Sequence, residues 1–228
     1  MLSHLFPYRF EIFLTSLMTI LFGSLLVPSS VFEDVLFPLL LLLNILSGIV
    51  LMSKKKKIMY FFLLLFAIRV LFYLFEFSNA LEESNFYVIK TGVFFVFYLV
   101  VTYEIIHQVW KAKKVNKNVI IGLVSGYVSL GLIGFFICLS IEIFYPNSFN
   151  LPNADTLVFQ SSVLDNIMYF SYVTLLTIGY GDIYPISKLA HKASLLIGLA
   201  GQLYLVIITS IVVGKYINQR HGNFPPKS

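Results

Sequence analysis

"TLLTIGYGDIYP", Thr174–Pro185, is the stretch whose reading decides the fold. It sets two glycines, a tyrosine and an acid between two apolar segments, in a chain that is apolar almost throughout. At bilayer depth, polar non-helical backbone is expensive unless it is buried in protein or lines a water-filled path. What this stretch can be therefore depends on what surrounds it.

The chain has 228 residues, 58% hydrophobic and 12% charged. A soluble domain is about half apolar and about a quarter charged, so the composition implies a membrane protein. The 23 Phe and 14 Tyr suit lipid-facing and interfacial surfaces. The net charge of +5 would suit a nucleic-acid partner, but the basic residues fall in short loops between apolar runs, so none is expected. A single cysteine, Cys138, excludes an internal disulfide and a cysteine metal cluster, and reads as small core filler. The four histidines show no ligand spacing.

A spanning helix needs about 20 mostly apolar residues. Six candidates lie near 10–28, 35–52, 58–76, 86–106, 119–144 and 193–217. The shorter apolar stretch 163–176 reads as a re-entrant helix. The loops alternate in charge. "SKKKK" (Ser53–Lys57), "WKAKKVNKN" (Trp110–Asn118) and the C-terminal segment are basic; "SSVFED", "SNALEESN" and the long stretch after the fifth span have acids and no Lys or Arg. By the positive-inside rule both termini are cytoplasmic. The first span is expected to remain uncleaved. The expected organisation is four helices over 1–109, a basic cytoplasmic linker over 110–118, a helix–loop–helix module over 119–217 and a short cytoplasmic tail over 218–228, with no soluble ligand-binding domain.

Within the module, "SVLD" (Ser162–Asp165) reads as a capping box opening the short helix. That helix enters from outside and ends within the membrane, where its carbonyl end favours a cation. Gly179 and Gly181 adopt positive φ at little cost. Backbone that alternates between left- and right-handed conformations points successive carbonyls to one side. Four such loops about an axis stack rings of oxygens that replace a cation's water shell.

"TLLTIGYGD" resembles the signature of the potassium channels, with Ile178 where Val is commoner. The resemblance covers roughly residues 119–217. It implies an all-α membrane protein with six transmembrane helices, a re-entrant pore helix and a selectivity filter, assembled as a homotetramer in the plasma membrane. It further implies that the carbonyls of Thr177, Ile178, Gly179 and Tyr180 coordinate potassium and that the Thr177 hydroxyl adds the innermost ring. Gly181 turns the chain, Asp182 ties the outer mouth to the pore helix, and Tyr180 braces the filter from behind. Potassium at the filter is the only metal expected, and no cofactor is. Two positions depart from the family pattern: Leu176 replaces a second Thr, and Tyr169 and Phe170 stand where Trp is common. The Tyr169 hydroxyl is expected to meet Asp182.

In the family the last span lines a cavity and closes at its cytoplasmic end. Gly201 falls where a hinge glycine is frequent, although close helix packing explains it equally well. Gln202 and Thr209 are seven apart and so share a face; with Val213 and Ile217 they form the expected lining, and a ring at Val213 or Ile217 could close by dewetting. The first four helices lack the arginine repeat of a voltage sensor. Span four carries Lys90 near its outer end and Glu104 near its inner end. Steep gating needs about 3–4 charges per subunit, so weak or no voltage dependence is expected. Arg69 lies deep in span three, roughly 16 Å from its start at about 1.5 Å per residue, with Glu76 further along the same face and Asn44 at similar depth; the three read as an intramembrane polar cluster. The lysine run 54–57 marks topology, and membrane lipids are the other expected partner. A less selective cation channel and a non-conducting subunit remain open alternatives; a potassium transporter is remote, since one full motif stands where transporters carry four degenerate copies. No paired acids or nucleophile pattern suggests an enzyme.

Overall fold

The computed structural model describes residues 5–28, 31–77, 83–152 and 161–221. Eight α-helices are described: α1 (Arg9–Phe22), α2 (Phe37–Leu51), α3 (Lys56–Phe77), α4 (Glu83–Lys111), α5 (Lys117–Phe144), α6 (Ser161–Leu175), α7 (Lys188–Leu203) and α8 (Thr209–His221). Two π-helical segments, Phe32–Leu36 and Tyr204–Ile208, run directly into α2 and α8. The protein is an all-α, multi-pass membrane protein. Parts of the expected outer loops (78–82 and 153–160) and of the tail (222–228) lie outside the described residues.

Local chemistry sets several boundaries. Asn116 caps α5, its side chain accepting from the Val119 N–H at 3.1 Å. Ser187 caps α7 in the same way, accepting from the Ala190 N–H at 3.1 Å. Each satisfies a donor that a helix start leaves orphaned. Pro38 sits at the junction of the π segment with α2, where its missing N–H interrupts the helical ladder.

Five helical stretches are long and apolar enough to cross a membrane: Phe6–Leu25, Lys56–Leu74, Val88–Lys111, Lys117–Phe144 and Lys188–Gln219. The expected second span is shorter than a bilayer needs, since α2 itself covers only Phe37–Leu51; the π segment before it lengthens the helical run. The short helix expected at 163–176 runs Ser161–Leu175, so Ser162 lies inside the helix and not ahead of it, and its side chain is outside the described residues. The last span, expected as one helix over 193–217, begins at Lys188 and is broken by the π segment Tyr204–Ile208.

The fold is organised around α5. Helix α4 packs along it, α1 crosses both α2 and α5, and α6 and α7 pack on its other side. Aromatic side chains make the join between the first four helices and α5. Phe94 and Tyr98 stack on Phe136, with ring centroids 5.9 and 5.6 Å apart, and Phe37 meets Phe135 edge-on at 6.5 Å. The four-helix part therefore packs against α5 of its own chain.

At the other end of α5 a carboxylate organises the loop that follows. Glu142 is buried and accepts three backbone N–H bonds, from Asn147 (2.7 Å), Ser148 (3.0 Å) and Phe149 (3.2 Å). This holds a turn in which Asn147 has φ 63°. The Ser148 carbonyl then accepts from Ile186 at 2.7 Å, and Asn150 donates to the Tyr184 carbonyl at 2.9 Å. Charge-assisted bonds to buried donors are each worth about 1.5–3 kcal/mol. Glu142→Leu is therefore expected to cost about 3 kcal/mol, read as a lower thermal unfolding midpoint in detergent together with faster amide exchange at residues 147–149. An unchanged midpoint would show that these N–H groups find other acceptors.

Candidate functional site

The segment Thr177–Asp182 leaves the carbonyl end of α6 and returns toward the outer loop. Thr177, Gly179 and Gly181 have φ of 56°, 62° and 83°, while Ile178 and Tyr180 between them do not share the left-handed region. Every second residue is thus left-handed, the alternation that turns consecutive carbonyls to one side. Two of the three positions are glycines, which take this conformation freely; Thr177 takes it against the preference of a β-branched residue. A strained non-glycine at such a position persists only where its surroundings hold it. Its hydroxyl donates to the Leu176 carbonyl at 2.7 Å, its N–H donates to the Thr174 carbonyl at 3.1 Å, and Gln202 donates to its hydroxyl at 3.3 Å. The Ile178 N–H donates to the Val173 carbonyl at 2.9 Å. The start of the loop is in this way folded back on the last turn of α6.

The outer end is held by a side-chain pair. The Tyr169 hydroxyl of α6 donates to Asp182 Oδ2 at 2.8 Å. That bond holds the Asp182 carboxyl below its ordinary range and raises the Tyr169 phenol. Ile183 is buried beyond it, and Phe149 packs on Phe170 at 5.1 Å. Tyr180 is 72% exposed in the single chain, as is much of Leu176 and Ile178.

Residues 123–218 match the family model described as "Ion channel". The matched segment runs from within α5 through α6, Thr177–Asp182 and α7 into α8, and leaves α1–α4 outside it. No curated protein and no solved structure matches the chain.

In this channel-like segment, the docking of α6 and of the π segment after α7 on α5 uses tyrosine and serine hydroxyls aimed at backbone carbonyls. Tyr172 donates to the Val128 carbonyl at 2.7 Å, Ser171 to Gly131 at 2.8 Å, Tyr204 to Leu123 at 2.7 Å and Tyr127 to Leu175 at 3.3 Å. The Tyr172 ring lies where a Cβ on Gly131 would come within 2.2 Å, so only glycine admits it. Sequence reading assigned none of these residues a role. The available signal was the run of tyrosines and small residues inside otherwise apolar helices, at positions where membrane helices approach closely.

The inner-helix expectation needs correction. Gly201 is buried, and a Cβ there would lie 2.5 Å from the Leu175 carbonyl oxygen. It is a close-packing glycine beneath the end of α6. Gln202 and Thr209 do not share a face. An uninterrupted helix brings residues seven apart to within about 20°, but the π segment Tyr204–Ile208 between them inserts about one extra residue. Everything after it is displaced by about 100°. Ser210 takes the place expected of Thr209, Val213 turns about a quarter-turn away, and Ile217 stays near the stripe while Gly214 joins it. Ser210 is exposed in the single chain and Thr209 only half so.

Of the expected intramembrane cluster, Asn44 is engaged by a different partner. Asn44 is fully buried, but it donates to Ser16 Oγ at 2.7 Å, and Ser16 lies 3.1 Å from Ser47 Oγ. This is a polar clasp between α1 and α2. Arg69 is buried on α3 with its guanidinium 5.3 Å from the Phe94 ring of α4. The Glu76 side chain lies outside the described residues. At the basic end, Glu104 is buried and pairs with Lys55, tying the lysine loop to α4.

The Tyr169–Asp182 bond carries a pH signature. A carboxylate whose folded-state pKa is depressed adds stability above its unfolded value, and loses it as pH falls through the folded value. Tyr169→Phe removes the cause of the depression. The two proteins should therefore differ in thermal midpoint at neutral pH and converge below the ordinary aspartate range, about 3.9. Parallel profiles down to strong acid would show that Asp182 owes its depression to something else.

Proposed function

We propose that the protein is a potassium-selective channel that conducts passively through a homotetrameric pore, with weak or no voltage dependence. The observation that carries this reading is the alternating left-handed backbone at Thr177, Gly179 and Gly181 directly after a short helix whose carbonyl end faces the loop. Carbonyls of Thr177, Ile178, Gly179 and Tyr180 then act as ion ligands, with the Thr177 hydroxyl below them. Tyr169 and Asp182 hold the outer end, and Gly181 turns the chain. A single copy of the loop cannot enclose an ion, so four chains are required, and a closed ring is the usual solution. Exposure of Tyr180, Leu199, Leu203 and Val206 in one protomer supports burial against neighbours.

On this reading residues 1–109 form a voltage-sensor-like unit without gating charges, 110–118 the cytoplasmic linker and 119–217 the pore unit, in a plasma-membrane protein of six spans with both termini inside. Among the described cations of α4 before its inner end, Lys90 alone lies within the apolar run, which supports weak voltage dependence.

Reconstitution into liposomes with opposed potassium and sodium gradients tests the whole reading. The expected reversal lies near the potassium potential and the current varies little in steepness with voltage. Gly179→Ala, which places a side chain where φ is 62°, should reduce the potassium preference by tenfold or more, about 1.4 kcal/mol. Tyr180→Val should act in the same direction. A preference unchanged in both would remove the filter assignment, and chemical cross-linking that stops short of four protomers would remove the pore.

The displaced register of the inner helix makes a separate prediction. Cys138 is buried, so introduced cysteines can be read against a quiet background. A charged thiol reagent supplied from the cytoplasmic side of the open pore should modify Ser210→Cys faster than Thr209→Cys. The reverse order would show that the stripe runs straight through Gln202 and Thr209.

A further inference from the structure

An open cleft of about 750 Å³ lies where α1 begins, α4 ends and α5 begins. Its walls carry Arg9, Lys55, His107, Lys111, Lys113 and Lys114, and among the described residues no acid lines it. Lys55 is partnered by Glu104, and the nearby Lys117 by Glu11 at 2.6 Å. The two adjacent acids are thus already engaged, and Arg9, Lys111, Lys113 and Lys114 face the cleft with no acidic partner among the described residues. Asn116 and Asn118 complete the wall, at the N-terminus of α5, whose dipole favours an anion. Arg9 is fixed in place: its guanidinium lies 4.0 Å from the Phe6 ring and 4.6 Å from the Phe10 ring, and it donates to the Phe6 carbonyl at 3.1 Å.

We propose that this cleft binds the phosphate-bearing head group of an anionic phospholipid. Three observations favour a lipid over a soluble anion. The cleft sits at the ends of three helices of membrane-spanning character, which is head-group depth. Trp110, the residue type that settles at that level, is half-exposed beside it. Its volume falls within the range of small-molecule sites, about 300–1,000 Å³, and exceeds what a lone phosphate fills.

The site is also joined to the inner helix. Its linker wall is held from the far side by α8. Lys215 donates to the Trp110 carbonyl and to the Ala112 carbonyl at 3.0 Å, capping the carbonyl end of α4, and Gln219 accepts from the Val115 N–H at 2.9 Å. A head group in the cleft braces the same five-residue link, Ala112–Asn116, that Lys215 and Gln219 tie to the closing end of the pore.

Trp110 is the chain's single tryptophan, which supplies a readout independent of ion conduction. Full-length protein is reconstituted into phosphatidylcholine vesicles containing brominated phosphatidylglycerol, or brominated phosphatidylcholine in equal amount, and Trp110 quenching is compared. The expected preference for the anionic lipid is about fivefold, the effect of one lysine at an anionic surface, or more. It should vanish in Arg9→Gln/Lys113→Gln/Lys114→Gln and survive in Lys113→Arg/Lys114→Arg. It should also survive in Lys56→Gln/Lys57→Gln, whose lysines are exposed outside the cleft. Equal quenching by the two lipids, or equal loss in the Lys56/Lys57 variant, overturns the proposal. Relief of quenching by inorganic phosphate at constant ionic strength overturns it as well, by assigning the cleft to a soluble anion.

Discussion

No water reaches the backbone inside a bilayer, so each carbonyl that leaves a helix there needs a partner from the protein or from what passes through it. The protein meets that constraint with hydroxyls placed on its own helices. Tyr172, Ser171, Tyr204 and Tyr127 each donate to a carbonyl of a neighbouring helix. Three of these bonds set α6 at a fixed depth and orientation against α5, and Tyr204 does the same for the helix that follows α7. The loop N–H groups of Leu176, Thr177 and Ile178 fold back onto the last carbonyls of α6. The carbonyls of Thr177–Tyr180 accept no hydrogen bond among the described residues, and their direction is governed by backbone that alternates in hand. A preorganised row of dipoles of this kind can replace a hydration shell without rearranging.

The outer loop follows the same logic with a different donor–acceptor balance. There the surplus is of N–H groups, and one buried carboxylate, Glu142, takes three of them. The segment it shapes then pairs with residues 184–187, immediately after Asp182. Asp182 is thus fixed from two directions, by Tyr169 on α6 and by the backbone that continues from it into this pairing. Glu142 and Tyr169 act on opposite ends of one short stretch, and neither touches the carbonyls proposed to meet the ion.

Much of the architecture was legible because hydrophobic runs and charged loops are long-range averages that tolerate local error. The short helix before "TIGYGD" follows from the length of its apolar run, whereas the contact of Tyr169 with Asp182 is expected only through the resemblance to the potassium channels, where Trp is common at that place. The π segment at Tyr204–Ile208 was not legible, since an extra residue in a helical turn leaves no mark in a run as uniform as "LYLVII". A seven-residue spacing argument is sound only in an unbroken helix, which is why Thr209 was placed on the wrong face. Gly201 illustrates a different limit. Hinge and close packing make the same demand on sequence, the absence of a side chain, and only the nearness of the Leu175 carbonyl separates them. Asn44 shows a third limit: depth along separate helices says nothing of azimuth, and its side chain turns to Ser16 of α1.

The packing of α4 bears on voltage dependence as much as its charge count does. A sensing helix must slide or turn, and every group it carries must find equivalent partners after the move. Here α4 presents Phe94 and Tyr98 as a stack on Phe136 of α5, and Tyr98 and Phe97 are fully buried. Its inner end is pinned twice, through Glu104 to Lys55 and through its terminal carbonyls to Lys215. Displacement by one turn, about 5.4 Å, would empty the aromatic contact and strip the carbonyl cap together. Such a helix resists movement whatever its charge. It is built as a strut against α5, and through Lys215 it meets α8, the helix proposed to close the pore. If the protein conducts as proposed, a stimulus taking this route would act by shifting the linker at its base, where the basic cleft lies, and not by driving α4 across the field.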